Sequence, residues 1–110
     1  DLYEDYDGNR YSHACPVRRI VEDGLVKGEN VIQIGIRAAT KEQMEFAEEN
    51  GIEIITSSEI FKGKEIEIPF ERAYLSFDIV ELNPHYDYKG ITAFAAAKII
   101  REVLALRKNS

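Results

Sequence analysis

Val31-Ile32-Gln33-Ile34-Gly35-Ile36-Arg37 and Ile52-Glu53-Ile54-Ile55-Thr56, separated by Thr40-Lys41-Glu42-Gln43-Met44-Glu45-Phe46-Ala47, decide the fold class of this chain. Residues 30–36 place Val31, Ile32, Ile34 and Ile36 in a short β-branched run of the kind that fills a buried strand. Thr40 followed by Gln43 is a capping-box pattern. Met44, Phe46 and Ala47 give the ensuing helix an apolar side, and Asn50-Gly51 supplies its stop. Residues 52–56 are then the next strand. Strand, helix and strand with short joins favour a parallel pair with a right-handed crossover, and therefore an α/β protein.

Outward from this core, residues 1–13 are acidic and Tyr-rich with neither regular period, which reads as a loop. A helix over 14–24 follows: Pro16 suits its first turn, Val17, Ile20 and Val21 recur at helical spacing, and Gly24 closes it. Residues 59–71 read either as a short edge strand or as an irregular loop, with Pro69 against a central strand. Residues 74–80, Tyr-Leu-Ser-Phe-Asp-Ile-Val, read as a strand. From 91 to 108, Phe94, Ala95, Ile99, Ile100, Val103, Leu104 and Leu106 form a wide apolar stripe opposite Lys98, Arg101, Glu102 and Lys108, the pattern of an amphipathic helix. The expectation is a single domain over residues 1–110: an open sheet of three or four mostly parallel strands in two or three layers, with about three helices at 14–24, 41–50 and 91–108.

Composition narrows the function classes. A chain of 110 residues with 45% apolar content suits one small core. A net charge of −6 and a pI near 4.9 argue against nucleic acid or an anionic membrane as partner, since both require a basic face. No apolar run approaches the ~20 residues that span a bilayer, and the polar start is unlike a signal peptide. The lone Cys15 forms no internal disulfide, which fits a reducing, cytoplasmic setting. Fourteen Ile, fourteen Glu and only two Gln point toward a thermophile-like composition.

The strand ending in Asp78-Ile79-Val80-Glu81-Leu82-Asn83-Pro84, followed by Asp87 and Gly90-Ile91-Thr92-Ala93-Phe94-Ala95-Ala96-Ala97-Lys98, carries acidic groups to the end of a buried strand. This wording resembles the C-terminal end of the arginase/agmatinase ureohydrolases, which hydrolyse guanidino compounds to urea at a two-manganese site. Asp1-Leu2-Tyr3, Asn9-Arg10-Tyr11-Ser12-His13 and Arg18-Arg19 are similar to the family's stretch after its Asp-x-His-x-Asp metal run, and residues 31–37 to its next strand. The resemblance implies a reduced arginase-type α/β fold. It implies Asp1 and Asp78 as remnants of the metal ligands, His13 as the proton shuttle and Glu81 as the carboxylate that holds the substrate guanidinium. Two Mn²⁺ ions are the cofactor of that family. A carboxylate pairs bidentately with a planar guanidinium, and His titrates near neutral pH, so these roles are chemically consistent.

A two-manganese centre needs about six oxygen and imidazole ligands around a bridging hydroxide. The chain has no Gly-Gly-Asp-His, opens at the last position of the Asp-x-His-x-Asp run, and carries Val80 where the second Asp of the family's Asp-x-Asp pair stands. The family keeps its Ser-Phe-Asp and Asp-Ile-Val-Glu strands apart, whereas here they are fused, which points to an internal deletion. The expectation is a non-catalytic remnant or engineered miniature with no cofactor of its own. The alternative is a manganese-dependent guanidino hydrolase acting on a substrate such as agmatine, completed by missing segments or another chain. Homo-oligomerisation is the expected cover for an open sheet.

Plainer readings stand beside these roles. His13 caps or pairs locally before the first helix, Glu81 is solvated or tied to Arg72 or Lys89, and Asp78 bonds backbone amides at a strand end. Asp5-x-Asp7-x-Asn9 has the opening of a calcium loop, but Arg10 and Pro16 occupy the places of its turn Gly and bidentate Glu. A solvated acidic loop is the better account. Cys15 reads as a buried thiol rather than a nucleophile.

Overall fold

A computed structural model describes residues 1–76, 85 and 90–106. The chain divides into two compact units, Asp1–Ser58 and Glu59–Ser110.

The first unit holds the strand-helix-strand motif. Helix α1 spans Pro16–Glu22, a 3-10 turn spans Gly28–Asn30, strand β1 spans Ile32–Ile36, helix α2 spans Lys41–Asn50 and strand β2 spans Glu53–Thr56. β1 and β2 are parallel, with Ile32 opposite Glu53, Gln33 opposite Ile54 and Ile34 opposite Ile55. The register shifts between Ile34 and Ile36, so Ile36 faces Thr56 and Gly35 is the extra residue, at φ +84°. The Ser57 hydroxyl donates to the Gly35 carbonyl at 2.7 Å and holds this bulge. The strand, expected over 30–36, begins at Ile32, because Asn30 belongs to the 3-10 turn.

The helix ends follow the expected chemistry. The Thr40 side chain accepts from the Gln43 N–H at 3.2 Å, while the Gln43 side chain accepts from the Thr40 N–H at 2.8 Å, a complete capping box. At the other end Gly51 takes φ +71°. Its N–H and that of Ile52 bond back to the Glu48 and Ala47 carbonyls at 3.2 and 2.8 Å, and the buried Ile52 joins Ala47 in the core. α1 closes likewise, with Gly24 N–H to Val21 O and Leu25 N–H to Ile20 O, both at 3.0 Å. Pro16 sits at the first position of α1 with Cys15 as its N-cap.

The core of this unit is Leu2, Phe46, Ala47 and Ile52, with Val17, Val21, Val31 and Ile54 packed against it. Leu2 is 2% exposed, so the N-terminal segment is part of the core rather than a free loop. Burial of such a side chain contributes about 1.5–3 kcal/mol. The 3-10 turn lies against the end of α2 so closely that a Cβ on Gly28 would meet the Asn50 carbonyl oxygen at 2.1 Å.

In the second unit, helix α3 runs Ser57–Phe61 across the boundary between the units and helix α4 runs Ile91–Leu106. The segment expected as a short edge strand or irregular loop therefore begins as a helical turn. Its end is closed by Gly63 N–H to Ile60 O and Lys64 N–H to Glu59 O, both at 3.0 Å, with a Lys64–Glu59 ion pair at 2.9 Å. Residues 64–70 have no regular structure, in keeping with Pro69. Of the expected strand over 74–80, residues 74–76 carry no strand structure and the rest lies outside the described residues. α4 matches the expected helix, although Phe94 is 70% exposed, because a stripe so wide exceeds what one helix face buries. The fold is thus a small α/β one, with two strands among the described residues. Among those residues no helix is long and apolar enough to cross a membrane.

Gly28→Ala forces the backbone of the 3-10 turn away from α2 and is expected to lower stability by about 1–3 kcal/mol. Gly51→Ala, where a Cβ makes only ordinary 3.8 Å contacts, costs about 1–2 kcal/mol through its left-handed φ alone. Urea unfolding of the two variants checks both, and a Gly28→Ala midpoint equal to that of the unsubstituted chain contradicts the close approach.

Candidate functional site

A cleft of about 260 Å³ opens at the carboxyl end of β1, where an α/β sheet offers its ligand sites. One wall is Asp1, Leu2 and Tyr3; another is Gln33 with residues 35–39, closed by Gln43 of α2 and Ile54 of β2. Backbone bonds hold the first wall: the Arg18 N–H donates to the Asp1 carbonyl at 3.1 Å, and the Tyr3 N–H donates to the Ala14 carbonyl at 3.2 Å. The Gly35 bulge shapes the second wall.

Of the residues that sequence reasoning grouped together, Asp1 and His13 are among those described. Asp1 lines the cleft. His13 does not; its Nδ1 lies 3.3 Å from the Ser12 hydroxyl, and its exposed ring meets Tyr6 edge-on with centroids 5.6 Å apart. This is the local pairing of the plainer reading. Asp78 and Glu81 lie outside the described residues. Among the described residues no group of three or more His, Cys, Asp or Glu side chains comes together to hold a metal ion, so those present do not by themselves fit a two-manganese centre.

The acidic loop is occupied by its own turns. Asp5 Oδ1 accepts from the Gly8 N–H at 3.1 Å and Asn9 Oδ1 from the Tyr11 N–H at 2.9 Å, while Tyr6 and Asn9 bridge antiparallel. Cys15 is fully buried, and its thiol points at the Asn9 carbonyl, 3.7 Å away.

An arginine network beneath the first wall was not legible as such. Arg18 Nε donates to Glu22 Oε1 and its Nη1 to Glu42 Oε1, both at 2.9 Å, and its Nη1 reaches the Leu2 carbonyl at 3.5 Å. The same guanidinium lies 4.4 Å from the centre of the Phe46 ring. Glu22 also faces Arg19 at 3.1 Å and Arg10 at 3.4 Å. Arg19 is buried, donates to the Glu4 carbonyl at 3.0 Å, and leaves Nε and Nη1 without an acceptor among the described residues. The sequence signals of this network were the helical spacings of Arg18 and Arg19 to Glu22, four and three residues. The hydrogen bond from Arg18, reinforced by the charges of Arg19, Arg18 and Arg10, holds the Glu22 carboxyl below its ordinary value near 4.5 against the opposing effect of burial.

A profile of the arginase family matches residues 1–73 and, separately, 66–106. The mitochondrial arginase of Medicago truncatula is 30% identical over 152 aligned positions, which cover 96% of this chain and 44% of that protein. Since the alignment is longer than the 110-residue chain, a stretch of that arginase has no counterpart here. The agmatinase of Bacillus subtilis is 30% identical with 94% and 51% covered, and the arginase of Glycine max 30% identical with 99% and 32% covered. The chain spans about half the length, or less, of these curated relatives. No solved structure matches it.

Because the folded-state pKa of Glu22 is depressed, its contribution to stability is present above its unfolded value and lost as pH falls through the folded one. Glu22→Gln is expected to cost about 1–2 kcal/mol at neutral pH and to flatten the loss of stability on acidification below the ordinary carboxylate value. Urea unfolding of both proteins across that range checks this, and parallel pH profiles contradict it.

Proposed function

The chain belongs to the arginase family, and on that premise we propose that these 110 residues form a reduced ureohydrolase-like α/β domain that does not by itself hydrolyse a guanidino substrate. The observation that carries this reading is internal to the chain: Val80 stands where the resemblance requires a second metal carboxylate after Asp78. A valine offers no donor to a hard cation. The pairing of His13 with Ser12 and Tyr6, outside the cleft lining that includes Asp1, supports the same conclusion. So does the stretch of the Medicago arginase without a counterpart. In this reading Asp1 and Asp78 are vestigial ligands, and Glu81 retains the chemistry for a guanidinium without the means to cleave it. A remnant and an engineered miniature share these properties.

A second reading is favoured by the share of the relatives that the chain spans. Here the 110 residues supply Glu81, His13 and the cleft to a manganese-dependent guanidino hydrolase whose remaining ligands come from other segments or another chain. The metal pair would activate water in that assembly.

The acidic surface and the absence of a disulfide partner for Cys15 support a cytoplasmic protein without nucleic-acid or membrane partners. Self-association covers the short parallel sheet, whose β1 residues are only half-buried. Light scattering at micromolar concentration is expected to give a mass above one chain, and a monomer mass contradicts self-association. For the activity itself, urea release from agmatine and arginine at saturating Mn²⁺ is expected not to exceed a metal-free control; turnover above that control overturns the first reading.

A further inference from the structure

Asn50-Gly51, at the end of α2, is the one Asn-Gly pair in the sequence. With no side chain on the second residue, its backbone nitrogen reaches the preceding carboxamide carbon unhindered, so a flexible Asn-Gly pair cyclises faster than any other Asn pair. The fold holds the two atoms apart. Asn50 is the last residue of α2, and its half-buried Nδ2 donates to the Phe46 carbonyl at 2.8 Å. The Gly51 N–H is tied into the helix cap, bonding the Glu48 carbonyl at 3.2 Å. From the other side the 3-10 turn presses on the same peptide, since a Cβ on Gly28 would meet the Asn50 carbonyl carbon at 2.8 Å as well as its oxygen.

We propose that Asn50 is a modification site gated by the fold: its carboxamide is lost by deamidation only when the end of α2 opens, and the product does not re-form the cap. On opening, the Gly51 nitrogen gives its proton to solvent base and attacks Cγ of Asn50. The new N–C bond closes a succinimide ring, and the carboxamide nitrogen leaves as ammonia. Water then adds to one of the two ring carbonyls and breaks its bond to nitrogen, giving aspartate or isoaspartate, so the whole change is one water consumed and one ammonia released. An aspartate at position 50 has no N–H for the Phe46 carbonyl, and it sets a negative charge at the C-terminal end of a helix directly after Glu48 and Glu49. An isoaspartate adds a methylene to the main chain between α2 and its glycine cap, where the approach of Gly28 leaves no room for it. Each such event therefore removes a chain from the folded population, a limit on kinetic stability.

The full chain, incubated in mildly alkaline buffer with and without guanidinium chloride, tests this through ammonia release and peptide mapping. Ammonia separates Asn50 from Asp7-Gly8 and Asp23-Gly24, whose cyclisation releases water. Conversion at Asn50 is expected to be at least about tenfold slower in the folded chain and faster than at Asn9 or Asn30 in the unfolded one. Asn50→Gln is expected to remove this ammonia. Asn50→Asp, one of the two products made directly, is expected to lower the denaturation midpoint and to speed hydrogen exchange of the Gly51 amide about tenfold. Equal conversion in folded and unfolded chains, conversion at Asn9 or Asn30 as fast as at Asn50 on unfolding, or an Asn50→Asp chain with unchanged midpoint and Gly51 protection overturns the proposal.

Discussion

The guanidinium of Arg18 sits over the Phe46 ring while donating to Glu22, Glu42 and the Leu2 carbonyl, and through these contacts it joins the N-terminal segment, α1 and α2. Its own backbone N–H holds the Asp1 carbonyl. Leu2 enters the core between these contacts, and Asp1 and Tyr3 become a wall of the cleft. Without this tie the first three residues keep the Tyr3–Ala14 backbone bond, the packing of Leu2 and the edge contact of Tyr3 with Tyr6. Lysine cannot substitute, because a compact ammonium neither stacks over a ring nor reaches two carboxylates and a carbonyl at once.

The network carries its own cost. Glu22 is shared by three arginines, and the buried Arg19 leaves two nitrogens, Nε and Nη1, unsatisfied among the described residues, each a desolvation cost of about 1–3 kcal/mol. Glu4 and Glu42 sit at the exposed margin of the network and contribute less than Glu22, whose carboxylate is the least solvated of the three. Charge density of this kind under a cleft wall keeps the wall's backbone in place while leaving Arg37, on the opposite wall, outside the pairing.

Local signals were the legible ones. Thr40 and Gln43 announce α2 because a capping box is made by residues three apart, and Gly51 announces its end because a left-handed φ disfavours a side chain. Pro16 marks α1 for a similar reason. The parallel pair followed from two β-branched runs flanking a helix. Features set by residues distant in sequence were hidden: the need for glycine at 28 exists only because Asn50 passes beside it, and Arg18 finds Glu42 and Phe46 across a gap that no periodicity records. α3 escaped because five residues beginning Ser57-Ser58 carry too little pattern to separate a helical turn from a loop. At the site, wording named Asp1, which lines the cleft, and His13, which pairs locally with Ser12 and Tyr6.

Native-state hydrogen exchange on Arg18→Met tests the account most directly, because methionine keeps the length of the stem and removes the charge and the donors. The account predicts that the Tyr3 and Arg18 amides, which bond Ala14 and Asp1, exchange about tenfold faster or more, while the Glu53 amide bonded to Val31 keeps its protection. Unchanged protection at Tyr3 and Arg18 would show that the N-terminal wall stands without the arginine and would contradict the account.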